Sequence, residues 1–330
     1  MSTTPLSWDG HLGIDIAAQT FDVALAVGGR EVEAHFANDP DGFAALSRWL
    51  AGRGARRVRA TMEATGRYGE ALADYLHQAG HGVAVVNPAR IAAYGQSRLR
   101  RAKTDRLDAK LILHFGQREQ PALWTPPAPE MRELREVLRR LADLQAQQQQ
   151  ERNRLAAGNH SALVLADIRD NLAGLQARSE RLKTAIAAHV RAHPALSDQE
   201  RLLCSITGIG PLTAERLMAE LPDIRHFTSP KQLVAYAGLA PNVHESGRSV
   251  RRRPGVSRQG HAQLRAWIFM PALVAIRHNP VMAAYYHRLC AAGKPKMVAV
   301  VAVMRKLLHI VFGVLKSKRP FDPAFGLLSA

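Results

Sequence analysis

The order of apolar patterns in the first 120 residues restricts the fold of this chain more than any other feature. Short runs of alternating apolar and polar residues predict strands, and apolar residues at three- or four-residue spacing predict helices. In chain order these are strands at 11–17, 21–27 and 32–36, a helix at 41–51, a strand at 58–63, a helix at 68–79, a strand at 83–86 and a helix from 88. This order predicts a mixed sheet covered on both faces, which is an α/β fold.

Length and charge define the broad class of protein. With 330 residues, 47% of them hydrophobic, the chain can bury two or three ordinary cores. Its 45 Lys and Arg residues outnumber its 28 Asp and Glu residues. The resulting net charge of +17 favours long-range attraction to polyanions, above all to nucleic acid.

Apolar stretches and cysteines exclude other classes. Residues 1–13 lack the apolar centre of a signal sequence, and Arg305 and Lys306 interrupt the longest late apolar stretch. We therefore expect a soluble cytoplasmic protein without a membrane anchor, whose last helix packs in the core. Cys204 and Cys290 are far apart and match neither a zinc spacing nor a disulfide scaffold.

Two carboxylates lie three residues apart in the basic segment 103–109. Residues at the spacing of Asp105 and Asp108 share one helix face, with Cβ atoms roughly 5–6 Å apart. Because like charges at this distance repel, a hard divalent cation such as Mg²⁺ is a suitable neighbour. The alternative is that Asp105 caps a helix and Asp108 is solvated in its first turn.

Two more carboxylates lie on predicted strands. Asp15 stands between two isoleucines of the first strand, where a carboxylate must be paired, hydrogen-bonded or metal-bound. Glu63 ends the fourth strand. If that strand neighbours the first, both could converge with Asp105 and Asp108 around two Mg²⁺ ions roughly 3.5–4 Å apart. Alternatively, Asp15 forms a turn and Glu63 is a surface charge at a strand end.

A proline-rich segment separates this region from two long amphipathic helices. Four prolines between residues 121 and 129 mark a linker. Leucines recur at helical spacing in 131–155 and again in 161–190, which predicts a helical hairpin or coiled coil. Such a unit could dimerise the protein, extend it along a nucleic acid, or serve as a strut within one chain.

The last third of the chain holds two features suited to phosphate. Gly208 and Gly210 lie in a segment typical of a helix-hairpin-helix, whose backbone amides contact phosphate; the alternative is an ordinary tight connection. The loop 244–255 is rich in arginine. Within it, Ser246 could attack phosphorus while Arg248 and Arg251 stabilise charge, although Ser249 and Ser257 compete for this role.

Four motifs of the first region resemble the DEDD transposase family of bacterial insertion sequences. They are Gly13–Ala17, Met62–Gly66, Asn87-Pro88 and Lys103–Ala109. The resemblance implies a RuvC-like N-terminal fold, related to Holliday-junction resolvases and ribonuclease H. It implies metal binding by Asp15, Glu63, Asp105 and Asp108. It also suggests a phosphate contact just before the acidic pair, at Arg98, Arg100, Arg101 and Lys103, whose alternative is a solvated basic face.

Motifs of the last region match the transposase domain of the same family in order. They are Gly238–Pro241, Glu245–Gly247, Gly260-His261 and Leu264-Arg265. Ser246 falls where that family has its recombining serine. The segment 251–255 departs from the family pattern, because it is unusually rich in arginine and carries a proline. Phosphate contacts are predicted at Gly208, Gly210, Arg248, Arg251, Arg252 and Arg253.

The resemblance implies a DNA recombinase that excises and inserts a mobile element by Mg²⁺-assisted attack of Ser246 on a DNA phosphate. It further implies a noncoding guide RNA that bridges donor and target DNA, and a homo-oligomer, a dimer or tetramer, with sites assembled in trans. The predicted domains are a RuvC-like domain at 1–122, a helical hairpin or coiled coil at 123–196 and a mainly α transposase domain at 197–330. The alternatives are a metal-dependent junction nuclease that uses water and a nucleic-acid-binding protein without catalysis.

Overall fold

The structure is a computed structural model that describes residues 7–64, 66–97, 105–242, 245–246, 250–251, 255–256 and 260–322. Side chains are described in these ranges except at 66–67, 105–107 and 241–259. The chain forms two compact units, unit 1 up to Pro126 and unit 2 from Pro127.

Unit 1 is built on a five-stranded mixed sheet. Its elements are β1 (Gly10–Ile16), β2 (Thr20–Val27), β3 (Arg30–Ala37), α1 (Pro40–Ala51), β4 (Val58–Glu63), α2 (Glu70–Gln78), β5 (Gly82–Val86), α3 (Pro88–Ser97) and α4 (Asp105–Glu119). The strand order is β3-β2-β1-β4-β5. The first three strands are antiparallel neighbours, while β4 runs parallel to both β1 and β5. The predicted mixed α/β arrangement is confirmed.

The two faces of the sheet differ in the size of their side chains. Large apolar residues such as Leu12, Ile14 and Phe21 cover one face and pack against Leu46 of α1 and Leu72 of α2. This regular alternation buries one full set of strand side chains, which explains why period-two patterns identified the strands.

The opposite face carries small residues beneath α4. Ala24 of the sheet packs against Ala109 and Leu113 of that helix. Helix α3 in turn packs on α4, where Ile91 contacts the cluster that contains Phe115. Both faces of the sheet are therefore covered.

Unit 2 begins with a long antiparallel pair of helices, α5 (Pro129–Ala157) and α6 (Ala162–Ala192). Near one end of the pair, the ring Nε2 of His189 lies 2.8 Å from the carbonyl oxygen of Glu130. Further along, the side-chain amide of Gln148 donates to Ser179 Oγ over 2.6 Å. The helices therefore pack on each other within one chain, with a polar contact in their buried seam.

The remaining elements of unit 2 are mostly helices. They are α7 (Pro194–Cys204), α8 (Pro211–Glu220), α9 (Pro230–Tyr236), β6 (Pro241–Asn242), β7 (Glu245–Ser246), β8 (Val250–Arg251), β9 (Gly255–Val256), α10 (Ala262–His278), α11 (Pro280–Ala291) and α12 (Lys296–Ser317). Leu141 of α5 and Val190 of α6 belong to the same core as Leu217 of α8 and Leu307 of α12. The predicted domain limits at 122 and 196 stay predictions, because a shared core does not define which parts fold alone.

Helix α12 is a long and strongly apolar helix. By length and composition it could cross a membrane, yet half of its apolar stretch is buried inside the protein. Val303, Leu307 and Val311 are fully buried in the core of unit 2. The prediction that this helix packs in the core is confirmed.

A buried acid in unit 2 makes stability depend on pH. Glu215 on α8 is only 3% exposed, and burial, with a smaller effect of Glu200, raises its pKa from 4.5 to about 7. In the unfolded chain this carboxyl titrates near 4.5, so the folded state holds the extra proton between pH 4.5 and 7. The free energy of unfolding should therefore fall as pH rises through this window.

We expect Glu215→Gln to remove this pH dependence and to be more stable than the wild type at pH 8, because no buried carboxylate then forms. The free energy of unfolding that the wild type loses is about 1.4 kcal/mol for each unit by which the pKa of Glu215 differs between the folded and unfolded states. Urea unfolding at pH 5 and pH 8 measures it, with Glu136→Gln, an exposed position on α5, as the matched control. An unchanged pH dependence in Glu215→Gln would contradict the assignment.

Candidate active site

Two carboxylates lie side by side at the carboxyl ends of β1 and β4. The parallel register pairs Ile14 with Met62, so the next residues along the strands are Asp15 and Glu63. Both side chains belong to the face that carries Gly13, because strand residues alternate between faces. Each carboxylate is half-buried. The adjacency of the first and fourth strands, on which the predicted site depended, is confirmed.

Helix α4 lies directly on this face because two glycines leave room for it. A Cβ on Gly13 would fall well inside contact distance of the Ala109 carbonyl oxygen and the Leu113 amide nitrogen. In the same way, a Cβ on Gly116 would collide with Thr61 of β4. Backbone and small side chains therefore form the interface between the helix and the two strands that hold the carboxylates.

Two ion pairs connect α4 to β3. Lys110 pairs with Glu33, and the His114 Nε2 atom lies 2.9 Å from Glu31 Oε1. All four side chains are partly exposed, so each pair contributes little to stability. The two pairs indicate the direction in which the helix crosses the sheet.

This orientation directs the start of α4 toward the end of the sheet that holds the carboxylates. Through the strand pairings, Glu33 lies level with Gly13 of β1 and Glu31 lies level with His11. Helix α4 therefore runs opposite to β1, and its N-terminus lies toward the end of the strand that carries Asp15. Asp108 is half-buried in this first turn. Asp105 begins the helix, although its side chain is outside the described set.

The described side chains do not form a preassembled metal cage. Among them, no three His, Cys, Asp or Glu residues are close enough together to hold a metal ion. The donors that the fold brings to this end of the sheet, Asp15, Glu63 and Asp108, are all carboxylates. An all-oxygen donor set suits hard cations such as Mg²⁺ and does not favour zinc or copper.

The structure adds a fifth carboxylate that the sequence patterns did not reveal. Asp22 of β2 is paired directly with Asp15 across the antiparallel ladder, so both lie on the same face. Its Oδ1 atom is 3.1 Å from Nδ1 of His35 on β3. The available signal was the position of Asp22 between Phe21 and Val23, the same arrangement that identified Asp15.

The segment around Ser246 is a hairpin in unit 2. Strand β6 pairs with β9, and strand β7 pairs with β8, with Ser246 opposite Val250. The Ser246 side chain is outside the described set. We call the strand pairings β6–β9 and β7–β8 together the serine hairpin, and the β6–β9 pairing is its base.

Close backbone contacts hold the base of the serine hairpin. A Cβ on Gly260 would lie 2.5 Å from the Gly238 Cα atom, so only glycine fits at this crossing. The amide of His261 donates to the Tyr236 carbonyl oxygen over 2.8 Å. The chain entering the hairpin and the chain leaving it are thereby joined.

A polar contact supports the same base. At the start of α10, the Leu264 amide donates a hydrogen bond to His261 Nδ1. The ring proton of His261 is therefore assigned to Nε2, which lies 2.9 Å from Glu220 Oε2. The imidazole stacks on Tyr236, whose pKa is raised to about 12 by burial and by Glu220. Glu220 was missed in the sequence because it is 41 residues from His261.

Most predicted nucleic-acid contacts lie outside the described residues. These are Arg98, Arg100, Arg101, Lys103, Arg248, Arg252 and Arg253, and Arg251 is described only in its backbone. Gly208 has a φ of 105°, and a Cβ there would lie 2.7 Å from the Pro271 carbonyl oxygen, so packing alone requires glycine. Gly210 is exposed before α8. A phosphate contact at either glycine stays a prediction.

Comparison with known proteins gives matches in both units, over the carboxylates of unit 1 and over the serine hairpin of unit 2. A DEDD transposase model of the IS110 type matches residues 12–158, and a model described as "Transposase IS116/IS110/IS902 family" matches residues 200–287. A pilin gene-inverting protein of Moraxella bovis is 34% identical over 315 residues, which cover 94% of this chain and 97% of the relative. The chain belongs to the IS110 family of transposases.

Other relatives agree with this family assignment. The pilin gene-inverting protein of Moraxella lacunata is also 34% identical over 315 residues, with the same coverage. A probable family 20 transposase of Pseudomonas aeruginosa is 29% identical over 163 residues, covering 48% of this chain and 47% of the relative. The chain is a transposase that acts on DNA, and its DEDD domain implies a divalent metal ion.

Because Gly13 lets α4 approach the sheet, Gly13→Ala should push the helix away from β1. We expect a decrease of about 1–3 kcal/mol in the free energy of unfolding, the usual range for overpacking. Urea unfolding measures this decrease. Gly52→Ala, at the exposed end of α1 in ordinary helical geometry, should change stability by less than about 0.5 kcal/mol. Equal effects of the two substitutions would contradict the proposed contact.

Proposed function

We propose that this transposase excises and inserts DNA of a mobile insertion sequence through attack of Ser246 on a DNA phosphate. A divalent metal, Mg²⁺, would be held by Asp15, Glu63, Asp105 and Asp108. One observation carries the proposal. Asp15 lies beside Glu63 at one end of the sheet, and the N-terminus of α4 is directed toward the same end. No other end of this sheet gathers carboxylates from two strands and a helix among the described residues.

The order of strands supports a RuvC/ribonuclease H-like fold for unit 1. A three-stranded antiparallel meander continues into two parallel strands, with β1 at the centre of the sheet. Asp15, the first of the four carboxylates to which the family resemblance assigns metal binding, is on this central strand. The helical hairpin and the helix-hairpin-helix of unit 2 are parts of the same proposal.

The carboxylates would act by holding the metal. When bound, Mg²⁺ would stabilise negative charge on the phosphoryl oxygens and on the leaving oxygen. The four side chains would also relieve their own repulsion by sharing a cation. Asp22 would remain with His35, as it is in the structure.

The serine would provide the covalent step. As its Oγ–P bond forms, the phosphorus–oxygen bond to one deoxyribose breaks, and the proton lost by serine is balanced by a proton gained at the leaving hydroxyl. Arg248 and Arg251 would stabilise charge on the phosphoryl oxygens. Because one phosphodiester is exchanged for a phosphoserine diester, a second DNA hydroxyl can reverse the step and rejoin strands without ATP.

Relatives named for gene inversion support recombination over hydrolysis. Inverting a gene requires that broken strands be rejoined, which a covalent intermediate permits and simple hydrolysis does not. The family resemblance extends the proposal to a noncoding guide RNA and to a dimer or tetramer. A cytoplasmic location is part of the same proposal. The surplus of positive charge supports nucleic-acid partners in general.

Covalent capture tests the proposed mechanism. The protein is incubated with labelled DNA carrying the ends of its element, with Mg²⁺ and the associated RNA, then denatured and examined for labelled protein. We expect an adduct that falls at least about 100-fold in Ser246→Ala, because no nucleophile remains. Asp105→Ala should abolish it as well, because a metal ligand is missing.

Serines of the same loop give the matched controls, since Ser249→Ala and Ser257→Ala should retain the adduct. DNA cleavage without an adduct, unchanged in Ser246→Ala, would exclude serine attack and favour a nuclease that uses water. DNA binding without any Mg²⁺-dependent reaction would favour a binding protein that does no chemistry.

A further inference from the structure

Positive charge is concentrated in the last part of the chain. Residues 197–330 contain 19 Lys and Arg against 7 Asp and Glu, whereas residues 1–126 contain 15 against 13. Most of the surplus cations therefore belong to unit 2. An uneven distribution of this kind is typical of a protein that presents one region to a polyanion.

Part of this surplus forms a line along α12. Arg305, His309 and Lys316 follow one another at spacings of four and seven residues, so they share one face of the helix. Helix α9 packs against α12 and carries the exposed Lys231. Lys306, next to Arg305, is exposed as well. We call the four cations Lys231, Arg305, Lys306 and Lys316 the cationic tract.

Interactions between the helices define both ends of the tract. The Lys316 ammonium donates to the Phe227 carbonyl oxygen over 3.2 Å, which places the end of α12 beside the chain that leads into α9. At the other end, Arg305, Lys306 and Lys231 are close enough to His309 to lower its pKa, after the larger effect of burial. Cations of two helices therefore face the same histidine.

The charges of the tract are not compensated by acids. Within the described side chains, Lys231, Arg305, Lys306 and Lys316 form no ion pair with Asp or Glu. The buried Nε atom of Arg305 has no hydrogen-bond partner there. By contrast, Arg225 and Arg201 of the same unit pair with Asp223 and Asp198. Uncompensated like charges that lie this close favour an anionic ligand.

We propose that Lys231, Arg305, Lys306 and Lys316 bind phosphates of the backbone of double-stranded DNA. The line on α12, from Arg305 to Lys316, is about 16 Å long. Phosphates of one strand recur every ~3.4 Å along a duplex axis, so the tract spans several of them. Because ammonium and guanidinium groups contact phosphates without reading bases, this binding is independent of sequence.

The dependence of DNA affinity on salt tests the tract directly. Removal of one phosphate contact should reduce the slope of log K against log[salt] by about 0.9 for a duplex. We expect the double variant Lys231→Gln/Lys306→Gln to have a slope shallower by about 2, and an affinity at least about tenfold lower near 0.1 M salt. Both positions are exposed, so the substitutions leave the core intact.

The matched control is Lys183→Gln/Arg201→Gln, which removes two cations of unit 2 that are already paired with Glu180 and Asp198. It should keep the wild-type slope. An unchanged slope in the tract variant would overturn the proposal, and so would weaker binding to RNA with unchanged binding to duplex DNA.

The proposal rests on DNA as the substrate and not on serine attack. Affinity is therefore measured without Mg²⁺, where no covalent step occurs. If no preparation of the protein forms the covalent adduct, the serine mechanism is wrong. The dependence of DNA affinity on salt would still test the cationic tract.

Discussion

The arrangement of the carboxylates depends on one close contact, in which the backbone of α4 lies on β1 at Gly13 and on β4 at Gly116 and Thr61. Side chains at these glycines would hold the helix away from the sheet. Because the contact is short, the helix has little freedom to slide along the sheet. The ion pairs of Lys110 and His114 with β3 show that the helix runs opposite to β1. The first turn of α4 thus comes to the end of the sheet that holds Asp15.

This packing brings like charges together. Asp15 faces Asp22 across one ladder and adjoins Glu63 across the next, an arrangement that destabilises a sheet when nothing compensates it. His35 stands beside Asp22. Asp15 and Glu63 are two of the carboxylates to which we assign the divalent cation. Unit 2 instead carries an excess of positive charge. Its uncompensated cations suit the phosphates of the DNA on which a transposase acts.

The sequence predicted the elements better than their arrangement. Alternation identified β1 and β4, and with them Asp15 and Glu63, because half-buried strands repeat every two residues. One-sided apolar spacing likewise identified α12 as a core helix. Asp22 escaped notice because a single polar residue in an alternating strand also suits an exposed position. The contact of His261 with Glu220 and the seating of α4 join distant parts of the chain, so no local pattern reveals them.

The central claim is that the end of the sheet at Asp15 binds a divalent metal, and ligand-induced stabilisation tests it without DNA or catalysis. Thermal unfolding of the full chain is measured with increasing Mg²⁺. A metal bound only by the folded state must raise the melting temperature. We predict this rise in the wild type and in Asp41→Asn, an exposed position on α1, and its absence in Asp15→Asn and Asp108→Asn. Equal Mg²⁺ effects in all four proteins, or none in the wild type, would contradict metal binding at this end of the sheet.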